Sequence, residues 1–219
     1  MITSYNELTV GKYQEIRKID FDDLDILEQQ VALIAVLNDM DEEEVFDLPL
    51  DEYKELSAGL QFLNTPPQID YKRKLKSITL KGQEYRILQD AREMTAGQYI
   101  DYQHYLGADN FDEQLPNILT VFVLPKGKEY GEDYDIYELA QTFRNDMPII
   151  TAMEIAAFFF RASQFSIKVS LRSLRMRLRM MMRRTKDETV KKQIQEAISQ
   201  LELLSSSTDS LGGLILPSK

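Results

Sequence analysis

Two stretches of this chain share one frame. Residues 7–16 read ELTVGKYQEI and residues 93–102 read EMTAGQYIDY. Thr9 and Thr95 stand where a helix N-cap belongs, because a threonine hydroxyl accepts a hydrogen bond from a first-turn N–H that has no partner inside the helix. Gly11 and Gly97 follow early in each expected helix, then Tyr13 and Tyr99. A second landmark recurs in the same order: residues 47–50 read DLPL and 146–149 read DMPI. Proline near a first helical turn forfeits no intrahelical bond. Each proline opens an apolar-periodic stretch that ends in aromatics, at Gln61-Phe62-Leu63 and at Phe158-Phe159-Phe160. Between these landmarks each copy has an apolar run, Val31 to Leu37 and Ile118 to Leu124. The ordered recurrence predicts a tandem duplication over about residues 5–64 and 91–164. The competing explanation is chance similarity of cap motifs, and the order of three landmarks weighs against it. The copies diverge in the middle: Asn38 to Glu44 is an acidic helix start, and Pro125 to Gly131 is a loop.

Asn64-Thr65-Pro66-Pro67 breaks the chain between the copies. The basic run Tyr71-Lys72-Arg73-Lys74 follows. Ser77 to Leu80, Lys81-Gly82-Gln83 and Glu84 to Leu88 then read as a β-hairpin around a glycine turn. A lone two-stranded hairpin is marginal in water, so this one is expected to pack on a helix or to pair with a strand of a neighbouring subunit.

The most basic and methionine-rich stretch is Phe158 to Lys192. Ile167, Leu171, Leu174, Leu178 and Met181 step by 4, 3, 4 and 3, which makes one apolar helical stripe. Arg172, Arg175, Arg179 and Arg183 form a second line, with Arg177 and Arg184 beside it. Thr185 to Glu188 reads as a capping box. Val190, Ile194, Ala197, Leu201 and Leu204 then continue in a new phase, so two helices are expected in place of one rod. Ser205 to Ser210 is a polar link. The short apolar tail Leu211 to Pro217, with Leu214, Ile215 and Leu216, is expected to dock on a neighbour.

Charge is segregated along the chain. Residues 1–158 hold 14 Lys and Arg against 31 Asp and Glu, a net of −17; residues 159–219 hold 12 against 5, a net of +7. Complementary fields of this kind steer and orient head-to-tail association. An acidic body repels phosphate, so nucleic acid would meet only the basic end. The arginine and methionine stretch has four readings. It is an interface helix, a contact along nucleic-acid phosphates, an amphipath for a membrane surface or partner helix, or an intramolecular helix with a solvated basic face. The first leads, because acidic material lies in the protein's own body. Arginine pairs bidentately with carboxylates and methionine fills irregular gaps. The expected interface is therefore Ile167, Leu171, Arg172, Leu174, Arg175, Leu178, Arg179 and Arg183, together with the tail residues Leu214, Ile215 and Leu216.

Other chemistry finds little footing. The chain has no cysteine, which excludes disulfides and thiolate metal sites and fits a reducing compartment or a particle assembled there. Met1 to Glu15 is polar, without a secretory leader pattern. The longest apolar run, Ile149 to Phe160, is about 12 residues against the roughly 20 that span a bilayer. It contains Glu154, so a core helix is expected. His104 is the only histidine and no nucleophile motif frames it, so a surface or structural role is expected. The acidic clusters Asp22-Asp23-Leu24-Asp25 and Glu132-Asp133-Tyr134-Asp135 lack the calcium-loop pattern and read as solvated faces. Gly127-Lys128-Glu129 does not complete a phosphate loop. No enzyme activity and no cofactor are expected.

These landmarks carry a resemblance. Glu7 to Tyr13, Val31 to Leu37, and Phe46 to Leu50 through Phe62-Leu63 are similar to the tail-assembly-chaperone pattern of tailed bacteriophages. Thr95-Ala96-Gly97-Gln98-Tyr99 to Phe160 resembles related proteins of crAss-like phages of gut Bacteroidetes. The resemblance covers about residues 5–165. The basic helical pair and the apolar tail depart from the chaperone pattern, which favours a stable virion part over a transient chaperone. What the resemblance implies is a non-enzymatic virion component, such as a head–tail connector, a tail ring or an internal packed protein. It would be assembled in the host cytoplasm and would partner itself and other virion proteins, without a membrane. A tail assembly chaperone is the first alternative, and a DNA-associated packaging or ejection protein is the second.

The expected fold is mainly α, with two related helical units, a small β-hairpin insertion and a C-terminal basic helical hairpin. The expected divisions are a first helical copy at 1–64, a linker and hairpin at 65–90 and a second copy at 91–164. A basic helical pair at 165–204 and a docking tail at 205–219 complete the chain.

Overall fold

Thr9 begins the fold as its cap chemistry dictates: its hydroxyl accepts the Lys12 N–H at 3.3 Å and starts helix α1, Val10–Lys18. The computed structural model describes residues 2–70, 73–108, 110–184, 191, 194–196 and 198–199, and for 161–175, 179, 183 and 184 it describes the backbone alone. Asp25 starts α2 (Ile26–Asn38) through a capping box, accepting from the N–H groups of Leu27 and Glu28 while Glu28 accepts from the Asp25 N–H. Short α3 (Glu42–Phe46) opens on the acidic run, and α4 (Leu50–Gly59) opens directly after Pro49. Thr95 and Gln98 form the box that starts α5, Ala96–Leu106. Asn110 starts α6 (Phe111–Phe122), and Asp135 starts α7 (Ile136–Asp146). Helix α8, Ile149–Arg184, opens after Pro148. Each expected copy therefore runs through four helices, with the threonine before the first and the proline before the fourth.

The hairpin forms as expected. Strands β1 (Ser77–Leu80) and β2 (Gln83–Ile87) pair antiparallel with Leu80 opposite Gln83. Lys81 and Gly82 both take positive φ, 46° and 83°, as a two-residue turn that follows strand twist requires. It packs on a helix as expected, with Tyr85 edge-on to Phe143 at 5.5 Å between ring centres, and it gains a further strand. A third strand of the same chain, β3 (Val123–Pro125), pairs with β2, placing Ile87 opposite Val123 and Tyr85 opposite Pro125. The apolar run Ile118 to Leu124 is thus split: α6 ends at Phe122, and Val123 turns extended at φ −114°, where a β-branched side chain is at ease. The chain is mainly helical with one small three-stranded antiparallel sheet.

The expected copies do not form separate compact bodies. Residues 1–159 make one unit and 160–219 a second, so the boundaries at 64 and 90 fall inside the first, and the one expected at 164 lies at 159. The main core of the first unit draws Leu8, Val10 and Leu37 from one expected copy and Leu119, Phe122, Phe143 and Phe159 from the other. Phe122 and Phe159 stack at 3.8 Å between ring centres, and Tyr102 meets Phe122 edge-on at 5.0 Å. A smaller cluster of Val31, Ile34, Ala35 and Val45 holds α2 to α3, and α4 covers it with half-buried side chains. In the second unit α8 continues unbroken to Arg184, and Ile194 and Ile198 are buried. Thr185 to Glu188, and the tail with Leu214, Ile215 and Leu216, lie outside the described residues.

Helix α1 is held by residues of the other copy. The Val10 N–H donates to the Met147 carbonyl at 3.0 Å, and the Ile149 N–H donates to the Leu8 carbonyl at 2.7 Å, around an antiparallel bridge of Thr9 with Pro148. Proline fits this bridge because the flanking residues carry both bonds. A Cβ on Gly11 would stand 3.0 Å from the Arg144 carbonyl oxygen, so glycine is what lets α1 lie against α7. Gly97, its counterpart in the repeat, meets only the Thr95 hydroxyl at 3.8 Å. Pro116 lies inside α6 and lacks the N–H that would bond the Asp112 carbonyl four residues back. The buried Gln14 amide of α1 donates to that carbonyl at 2.6 Å.

Three outcomes follow for urea unfolding of single variants. Gly11→Ala should cost about 1–3 kcal/mol, because the added methyl meets backbone that cannot rotate away. Gly97→Ala should be neutral or gain up to about 1 kcal/mol from helix propensity. Gln14→Leu should cost about 1–3 kcal/mol by stranding the Asp112 carbonyl away from water; an unchanged midpoint would mean the carbonyl finds another donor.

Candidate functional site

The acidic clusters resolve into helix starts. Asp25 caps α2, and Asp135 caps α7 by accepting from the N–H groups of Tyr137 and Glu138. Asp133 turns the chain at φ 56° and pairs with Lys128 at 3.2 Å. Among the described residues no group of His, Asp and Glu is placed to hold a metal. His104 lies exposed on α5, its ring 5.7 Å from that of Tyr105. Tyr130 donates to Asp101 at 2.7 Å; burial first, and this bond second, raise its phenol, so it stays neutral and pins the 126–135 loop to α5. Arg92 hydrogen bonds hold the Asp90 carboxylate down at about 2, a local pair at the 3₁₀ turn Ala91–Glu93.

Two charged arrangements remain. The first is Glu154, which the apolar α8 carries into the core at 4% exposure. Its carboxylate accepts from Arg73 at 3.2 Å, and Lys74 lies 5.8 Å over the Phe158 ring beside it. The cavity at this point is about 10 Å³, room for one water at most. A carboxylate paired with a half-exposed arginine in so tight a space fastens the 73–75 segment to α8; it does not bind a ligand.

The second arrangement is an open groove of about 610 Å³ between α1, the end of α2 and the start of α3. Glu15, Asp20, Asp39, Asp41 and Glu42 line it with a single cation, Lys12. Ile19, Leu24, Val36 and Met40 supply apolar lining. The Lys12 ammonium is mostly buried, at 15% exposure, and donates to the Val36 carbonyl and to Asp39. It thus neutralises the negative end of α2. Lys12 is consumed by this cap, which leaves the groove strongly anionic. All of its lining residues belong to the first unit.

The expected interface lies on α8 in the second unit. Ile167, Leu171, Arg172, Leu174, Arg175, Arg179 and Arg183 are on its helical backbone, with side chains outside the described ones. Leu178 is half-buried, consistent with a packing position. Met181, expected to end the same stripe, is 57% exposed, and Met176 and Met180 are 60% and 45% exposed. With the exposed Arg177 they make one face at spacing i, i+1, i+4 and i+5. Sequence reasoning did not single out this exposed methionine face, since periodicity alone does not tell which apolar residues find a partner.

Comparison of the chain with known protein families, curated proteins and solved structures finds no match. Among the described residues no helix is long and apolar enough to cross a membrane. For Lys12→Met, which keeps the length of the side chain and removes its charge, thermal unfolding should shift down by about 2–4 °C, equivalent to about 1 kcal/mol.

Proposed function

We propose that this protein is a non-enzymatic structural component of a tailed-phage virion, acting by oligomeric assembly in the head–tail region as a connector or tail ring, or packed inside the particle. The observation that carries the reading is the exposed Met176, Arg177, Met180 and Met181 face on a helix that follows a strongly acidic body. Exposed methionines on a basic helix are poorly placed for water and well placed for a protein partner. The charge polarity gives such contacts an orientation, one end of a subunit attracting the other. The phage resemblance of residues 5–165 supplies the setting, with the protein assembled in the host cytoplasm and located in the virion. Its partners are other copies of itself and neighbouring virion proteins.

Mass spectrometry of purified particles, with copy number, tests the reading. A stoichiometric protein supports it. Absence from particles overturns it in favour of a tail assembly chaperone. In vitro, the full chain should self-associate at low salt and dissociate as salt screens the pairs. Arg175→Glu with Arg179→Glu should weaken association at least about tenfold, a change of roughly 1.4 kcal/mol, by sedimentation. Binding to duplex DNA with a steep salt dependence, lost in the same variant, would instead favour the DNA-associated role.

A further inference from the structure

We infer that the groove between α1, α2 and α3 is the receptor for the arginine and methionine face of α8 from a second copy of this chain. The inference rests on the assembly reading and names the surface it lacks. Three observations converge on this occupant. Of the groove's five carboxylates, Glu15 is met by Arg144 at 3.6 Å and Asp39 by Lys12, whose ammonium also bonds the Val36 carbonyl, and Asp20, Asp41 and Glu42 keep the rim anionic. Residues 159–219 hold 12 Lys and Arg against 5 Asp and Glu, so the chain itself carries the complementary charge. The groove is also more than a charged rim. Ile19, Leu24, Val36 and Met40 offer apolar surface that matches the exposed Met176, Met180 and Met181. Flexible thioether side chains fill such an irregular floor, and arginine forks reach carboxylates at its edges. Asp20, Asp41 and Glu42 are exposed at the groove's edge, where an arginine fork can reach them.

Docking a helix on one subunit into a groove on the next is a heterologous contact, which closes into a ring or extends as a filament. The arrangement is therefore suited to a ring or tube component.

A charge-swap pair of full-length chains tests it. One chain carries Asp20→Lys with Glu42→Lys in the groove; Asp39 is left alone because its φ of 56° and its bond with Lys12 tie it to the fold. The other carries Arg177→Glu with Met180→Glu, both on the exposed face. Circular dichroism and thermal unfolding first establish that both fold as wild type. Each variant alone should associate at least tenfold more weakly than wild type by sedimentation. Mixed in equal amounts, they should regain assembly, since the first supplies a native helix to the second's native groove. A groove variant that assembles like wild type, while the helix variant does not, overturns the groove as receptor and leaves the assembly reading standing. Two weakened variants that stay apart on mixing overturn docking between copies. A wild-type chain that remains monomeric at all concentrations overturns the assembly reading itself, and this inference with it.

Discussion

The fold depends on a reciprocal exchange at two helix starts. An α-helix leaves its first N–H groups without partners, and α1 and α8 solve this for each other. Val10 donates to the carbonyl of Met147, just ahead of α8, and Ile149 donates to that of Leu8, just ahead of α1. Thr9 and Pro148 face one another between the two bonds. With the two helix starts tied, α1 runs alongside α7, which is why Gly11 has no room for a side chain. The same placement brings Gln14 to the carbonyl that Pro116 leaves open on α6. A glycine, a glutamine and two prolines far apart in sequence thus form one dependency.

The small sheet shows the same economy. A hairpin is too weak alone, and here a helix provides the missing strand by ending one residue after Val121 and turning extended. The aromatic ring at that end, Phe122, stacks on Phe159, so the sheet, α6 and α8 share one packing centre. The tight core on this side contrasts with the open groove beside α2. There the acidic ends of short elements meet, and their carboxylates keep the surface in water.

Helix α8 carries two characters in succession. Its first turns are apolar and buried, with Glu154 tolerated because Arg73 reaches it. Its later turns are basic and expose methionine. The change of character falls within one helix, α8, which crosses the boundary between the two units at residue 159.

How much was legible in the residues follows from the range of each interaction. Thr9 and Thr95 bond N–H groups three residues away, so these helix starts were legible in adjacent letters, while Asp25 and Asp135, expected as solvated faces, prove to cap helices by the same short-range bond. The Lys81-Gly82 turn is equally local, and the apolar and basic periodicity of α8 lies within one element. The expected copies do not divide the fold, because residues of both enter one core. Gly11 and Gly97 look alike in sequence and differ only in what lies opposite: a backbone carbonyl for one, open space for the other. Sequence by itself determined where helices begin, where the hairpin turns and how charge divides along the chain, because these depend on near neighbours and on counts. Tertiary structure alone decided that α1 belongs against α7, that β3 completes the sheet, that Lys12 caps α2 and that a carboxylate-lined groove stays open, because each of these needs partners that only folding brings together.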